Sequence, residues 1–132
     1  MNDSMKKRLS LVVSVYNEEE ALEQFFQEAD RILRKVFWDY ELIFVNDGSQ
    51  DRSLEILNHL AEADEHVKIV SFSKNFGHEA AMIAGIDYST GDGIICMDAD
   101  LQHPPECILE IIEKFEEGYQ VVNMVRTKNE SA

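Results

Sequence analysis

Four short apolar runs, each followed by a segment with helical spacing, limit what this chain can fold into more than any other feature. The runs are residues 9–15, 42–45, 67–72 and 93–97, rich in valine, isoleucine, leucine and phenylalanine. Apolar runs this short, several of them β-branched, suit strands covered on both faces. After the first run, apolar residues fall three and four apart at Ala21, Leu22, Phe25, Phe26, Ala29, Ile32, Leu33 and Val36, as one face of a helix requires. Leu54, Ile56, Leu57, Leu60 and Ala61 mark a second helix, and residues 78–88 a third that ends near Gly91. Residues 105–117 predict a fourth, with Ile108, Ile111, Ile112 and Phe115 inward and Gly118 as its stop. Asn17 and Asp51 are candidate helix caps, and the acidic residues 18–20 suit a helix's positive first turn. Residues 121–125 predict a fifth strand. Such alternation calls for an α/β fold, a mostly parallel sheet with helices on both faces and right-handed crossovers.

In sheets of this kind ligands bind beyond the carboxyl ends of the strands. The polar motifs of the chain fall at those ends: Tyr16-Asn17-Glu18 after the first strand, Asn46-Asp47-Gly48-Ser49 after the second, residues 73–77 after the third, and Asp98 to Gln102 after the fourth. In the last of these, an extended backbone would project Asp98, Asp100 and Gln102 to one side. Two carboxylates that close repel unless a cation or a proton lies between them. A hard divalent ion such as Mg2+ or Mn2+ resolves the conflict and takes its remaining ligands from water or from a substrate's phosphates. The plainer alternative is that Asp98 turns the chain and Asp100 is solvated. His78 and His103 read as surface or capping residues, because a hard oxygen site does not call for imidazole.

Charge sharpens the choice. Acidic residues outnumber basic ones 26 to 12, a net charge of −14. So negative a surface repels nucleic acid and anionic lipid, and it repels a phosphorylated ligand too unless a bound cation inverts the local field. At 132 residues the chain makes one domain over residues 9–126, with residues 1–8 as a disordered lead and 127–132 as a frayed tail. Cys96 and Cys107 show no metal or redox spacing and read as free thiols of a reducing, cytoplasmic compartment. No run of about 18 apolar residues exists to span a membrane.

The four loops, in their order, resemble the nucleotide-sugar-binding half of the family 2 glycosyltransferases. The matching stretches are Val12-Val13-Ser14-Val15-Tyr16-Asn17-Glu18, Val45-Asn46-Asp47-Gly48-Ser49, Asn75-Phe76-Gly77 and Met97-Asp98-Ala99-Asp100-Leu101-Gln102. Asn75-Phe76-Gly77-His78-Glu79-Ala80-Ala81, with the run from Asp98 to Glu106, is similar to the polyprenyl-phosphate branch, which includes dolichol-phosphate mannose synthase and bacterial undecaprenyl-phosphate enzymes. The likeness covers roughly residues 8–126. It implies the Rossmann-like half of a GT-A fold, cut short before the acceptor-binding part. It also implies inverting transfer from a UDP- or GDP-type sugar to a lipid phosphate, with a full-length protein at the cytoplasmic face of a membrane.

Position by position, the resemblance implies that Tyr16 and Glu18 line the base and ribose pocket, and that Val45 and Asp47 sit on the base, Asp47 accepting from a ring N–H. Asp98, Asp100 and Gln102 would hold Mg2+ or Mn2+ against the diphosphate, Ala99 would let the backbone come close, and Arg126 would face phosphate. Asn75 and Gly77 would contact the donor or shape its loop. Ser14 departs from the Pro usual at its place. Competing readings are a phosphoacceptor receiver domain, which needs an acidic pair after the first strand and a lysine after the fifth, and a nucleotide-binding module without catalysis. A dinucleotide-binding domain would need G-x-G-x-x-G after the first strand, where this chain has Tyr16-Asn17.

Overall fold

The computed structural model describes residues 7–99 and 106–117. Eight elements alternate along them: β1 (Arg8–Val15), α1 (Leu22–Leu33), β2 (Asp39–Asp47), α2 (Ser53–Ala63), β3 (Val67–Phe72), α3 (His78–Tyr88), β4 (Gly93–Asp98) and α4 (Cys107–Glu116). The strands pair in parallel in the order β3-β2-β1-β4. The α/β expectation therefore holds, with α3 matching its predicted bounds. The expected fifth strand at 121–125 lies outside the described residues, as do Pro105 and Gly118.

Successive residues of a strand face opposite ways, so the sheet has two apolar faces. Leu9, Leu11, Val13 and Val15 of β1 join Leu42 and Phe44 of β2 under Leu22, Phe25, Ala29, Ile32 and Leu33 of α1, Leu57 of α2 and Ile108, Ile111, Ile112 and Phe115 of α4. The opposite face carries Val12, Ile43 and Val45 under Ala81 of α3. There α3 lies so close that a side chain at Gly85 would collide with Val12. Trp38 stacks on Phe115 at 5.7 Å and donates from Nε1 to Glu116, which docks α4 on the edge of the larger core.

One strand runs much longer than its apolar run suggests. β2 begins at Asp39 and ends at Asp47, because flanking polar residues find partners across the sheet. Glu41, buried with its side chain 1 % exposed, accepts from Ser10 Oγ at 2.6 Å, Lys68 Nζ at 2.9 Å, and the N–H and hydroxyl of Thr90 at 2.8 and 3.1 Å. One carboxylate thus joins β1, β2, β3 and the turn before β4. Burial alone would raise its pKa, but the donors from Ser10, Thr90 and Lys68 overrule burial and bring it down to about 2.

Asn17 does not cap α1, which starts only at Leu22. Its φ of 53° places it in the left-handed region, where asparagine is tolerated. From there Asn17 Oδ1 accepts from Gln50 N, and Asn17 N donates to Ser49 Oγ. Nor is Asp51 the cap of α2, a position that Arg52 takes; one residue earlier, Asp51 accepts from Ser53 N at 2.8 Å. Its carboxyl is pushed up by burial and more strongly down by bonds from Ser53 and Glu19, ending below the usual range. Among the described residues no helix is long and apolar enough to cross a membrane.

Candidate functional site: a carboxylate-lined cleft at the strand ends

In the strand order, β1 has β2 on one side and β4 on the other, and the chain reverses its direction of winding between them. Such switch points leave a crevice at the carboxyl ends of the strands. A cleft of about 420 Å3 opens there, lined by Ser14, Tyr16, Glu18, Asp47, Asn75, Gly77, His78 and Asp98. Period-two alternation accounts for the grouping. Ser14 lies level with Val45 on one side and with Asp98 on the other, so these side chains share the face that α3 covers, as does Asp47 two residues beyond Val45. Towards the middle of the sheet that face is apolar; where the strands end, it turns polar.

Hydrogen bonds hold the rim in shape. The first two loops are laced together, with Glu18 N donating to Ser53 Oγ at 2.9 Å, Glu19 N to Asp51 Oδ2 at 3.2 Å, and Arg52 N to Glu19 Oε1 at 2.8 Å. The second and third loops meet at Gly48, whose φ of +71° favours glycine and where a Cβ would strike the backbone of Lys74 and Asn75. Asp47, only 2 % exposed, closes this contact. It accepts from Asn75 Nδ2 at 3.0 Å, Phe76 N at 2.7 Å and Gly77 N at 3.0 Å. A carboxylate has about four acceptor positions, so these bonds leave room for one more donor.

Opposite stands Asp98, the last residue of β4, with its side chain 17 % exposed. His78, first residue of α3, places Nε2 2.7 Å from Asp98 Oδ1. An ionised carboxylate cannot donate, so the facing imidazole nitrogen carries the proton. His78 was expected to be a surface or capping residue. It is half-exposed, but it lines the cleft and engages the candidate metal carboxylate. The sequence signal that could have found it is its place directly after Gly77, where a rim loop enters a helix.

The other candidates divide. Ser14, Tyr16, Glu18, Asp47, Asn75, Gly77 and Asp98 come together around the cleft. Val45 is wholly buried beneath α3 with Val12, Ile43 and Ala81, and Ala99 is buried just beyond Asp98; neither is among the cleft-lining residues. Asp100, Gln102, His103 and Arg126 lie outside the described residues. Among the described residues no group of three or more His, Cys, Asp or Glu side chains is set to hold a metal ion. The described lining nevertheless has three carboxylates, Glu18, Asp47 and Asp98, with no lysine or arginine. Carboxylate oxygens are the donor type that hard divalent cations take.

Comparison with known proteins gives this arrangement its context. The family model for glycosyl transferase family 2 matches residues 10–132. An uncharacterized glycosyltransferase of Bacillus subtilis (strain 168), YkcC, is 54% identical over 119 residues, covering 90% of this chain and 37% of its own length. The undecaprenyl-phosphate 4-deoxy-4-formamido-L-arabinose transferase of Klebsiella pneumoniae (strain 342) is 40% identical over 127 residues, covering 96% of this chain and 39% of its own. This chain thus spans well under half the length of these curated relatives. Among solved structures, the mannosyltransferase PcManGT from Pyrobaculum calidifontis, in complex with GDP-Man and Mn2+, superposes with a TM-score of 0.62 at 21% identity, over 75% of this chain and 29% of that one. That likeness shows a shared α/β fold. With the family model covering nearly all of its length, the chain belongs to glycosyl transferase family 2.

Proposed function

We propose that this chain is the donor-binding part of a metal-dependent, inverting glycosyltransferase that moves a sugar from a nucleoside diphosphate to a polyprenyl phosphate. The observation that carries the reading is the cleft at the switch point, with Glu18, Asp47 and Asp98 in its lining and no lysine or arginine there among the described residues. A sugar diphosphate is repelled by such a rim unless a cation joins them. The relative from Klebsiella pneumoniae is named for an undecaprenyl-phosphate acceptor, and PcManGT was solved with GDP-Man and Mn2+, which supports a lipid-phosphate acceptor and a nucleotide-sugar donor for this family branch.

In this reading Tyr16, about half-exposed at the mouth, covers the base and ribose together with Glu18. Asp47 uses its remaining acceptor position for a ring N–H, which uracil and guanine offer and adenine does not. Asp98, with Asp100 and Gln102 from the same motif, would hold Mg2+ or Mn2+, and Arg126 would meet phosphate. When bound, the ion would supply positive charge where the leaving diphosphate gains negative charge. An acceptor phosphate oxygen forms the bond to the anomeric carbon while the bond to the β-phosphate breaks, and the nucleoside diphosphate leaves with the electron pair. A phosphate acceptor is already ionised near neutral pH, so no carboxylate base has to take a proton. Acceptor binding belongs to the portion of the relatives beyond this chain, at the cytoplasmic face of a membrane.

Calorimetry with UDP, GDP and ADP, with and without Mn2+, tests the reading on the wild type and on Asp98→Ala. UDP or GDP binding that needs the ion and is lost in the variant is expected, together with negligible sugar transfer by the 132-residue chain. Nucleotide binding indifferent to both chelation and the substitution refutes it.

A further inference from the structure

We infer that His78 is a positioning residue for Asp98, fixing the carboxylate through which the donor site takes up its divalent ion. The inference rests on the metal-dependent reading above and adds a residue that the loop motifs do not assign. His78 Nε2 lies 2.7 Å from Asp98 Oδ1. That bond pins one carboxylate oxygen and, with it, the rotation about Cβ–Cγ. Groups that hydrogen-bond to metal ligands set their orientation in this way, and losing one weakens metal binding about 10- to 100-fold.

His78 is itself held from the far side of β1. Gly77, directly before it, has φ 108° and donates its N–H to Asp47 Oδ2 at 3.0 Å, while Phe76 N donates to Asp47 Oδ1 at 2.7 Å. The imidazole therefore stands at the end of a connection that starts on β2 and finishes on β4: Asp47, the 75–77 loop, His78, Asp98. A neutral imidazole serves this place well, because its N–H orients a carboxylate without bringing a second cation to the ion. A lysine there would neutralise Asp98 instead.

The test follows free Mn2+ by electron paramagnetic resonance while the 132-residue chain is titrated in the presence of UDP or GDP. The proteins are the wild type, His78→Ala, His78→Gln, and His59→Gln on the exposed side of α2 as a control. About tenfold weaker Mn2+ binding is expected in His78→Ala. Most of it should return in His78→Gln, which keeps an N–H donor, and His59→Gln should match the wild type. Pulsed spectra of the bound ion should lack the coupling of a directly ligated imidazole nitrogen. Unchanged affinity in His78→Ala, no recovery in His78→Gln, an equal loss in His59→Gln, or a directly bound imidazole overturns the positioning role while the donor site stands. A wild type that binds no Mn2+ with either nucleotide removes the donor-site reading and the role of His78 with it.

Discussion

Replacing Glu41 by Gln tests the physical account of the sheet most severely. The carboxylate is buried, and its donors come from Ser10 on β1, Lys68 on β3 and Thr90 before β4. These bring its pKa from 4.5 to about 2 in the folded protein. At about 1.4 kcal/mol for each pH unit, that preference for the charged form contributes about 3 kcal/mol to folding at neutral pH. Because the folded-state value is depressed, the contribution is complete above the unfolded value of 4.5, shrinks as the pH falls, and is gone once the pH is below about 2. Gln keeps one acceptor but turns an amide N–H2 toward donors, leaving Lys68 without its counter-charge. The expected cost is about 3 kcal/mol at pH 7, a large fraction of a small domain's stability, with a drop in Tm of about 10 °C. Urea unfolding of both proteins from neutral to strongly acidic pH measures it, since carboxylates common to both cancel in the difference. A loss below about 1 kcal/mol at neutral pH, or a difference that stays constant as the pH falls toward about 2.5, refutes the argument.

Three further substitutions probe how the cleft and the core are built. Gly48→Ala forces a side chain into a left-handed backbone and against the 74–75 backbone; a loss of about 2–5 kcal/mol in urea unfolding is expected, with weakened nucleotide binding. Asp47→Asn removes the charge that three donors of the third loop share, so amide exchange at residues 75–81 should speed up at least tenfold while β1 remains protected; unchanged exchange there counts against the anchoring role. Phe115→Ala removes the ring that stacks on Trp38 and should cost about 3–5 kcal/mol. It should also shift the emission of the chain's single tryptophan to the red, and an unshifted spectrum contradicts the observed packing.

The alternation of apolar runs with helical spacing was enough to derive a parallel α/β sheet, and the inward faces of α1 and α4 followed from periodicity alone. Placing the functional loops at the carboxyl ends of strands needed only the rule for such sheets, and seven of the candidate residues do surround one cleft. These features are local or topological, so residue type and spacing carry them. What lies between loops was not legible. Nothing in the sequence separates an Asp47 that waits for a ligand from one already engaged by three donors nearly 30 residues away. Likewise, a histidine at a helix start and an aspartate 20 residues later become partners only when β4 is laid beside β1. Glu41 stands just before the apolar run 42–45, and folding surrounds it with donors from distant segments. Secondary structure obeys neighbours in sequence, whereas the state of a buried or cleft-lining charge depends on which distant donors the packed sheet brings within hydrogen-bond reach, and only the tertiary structure decides that.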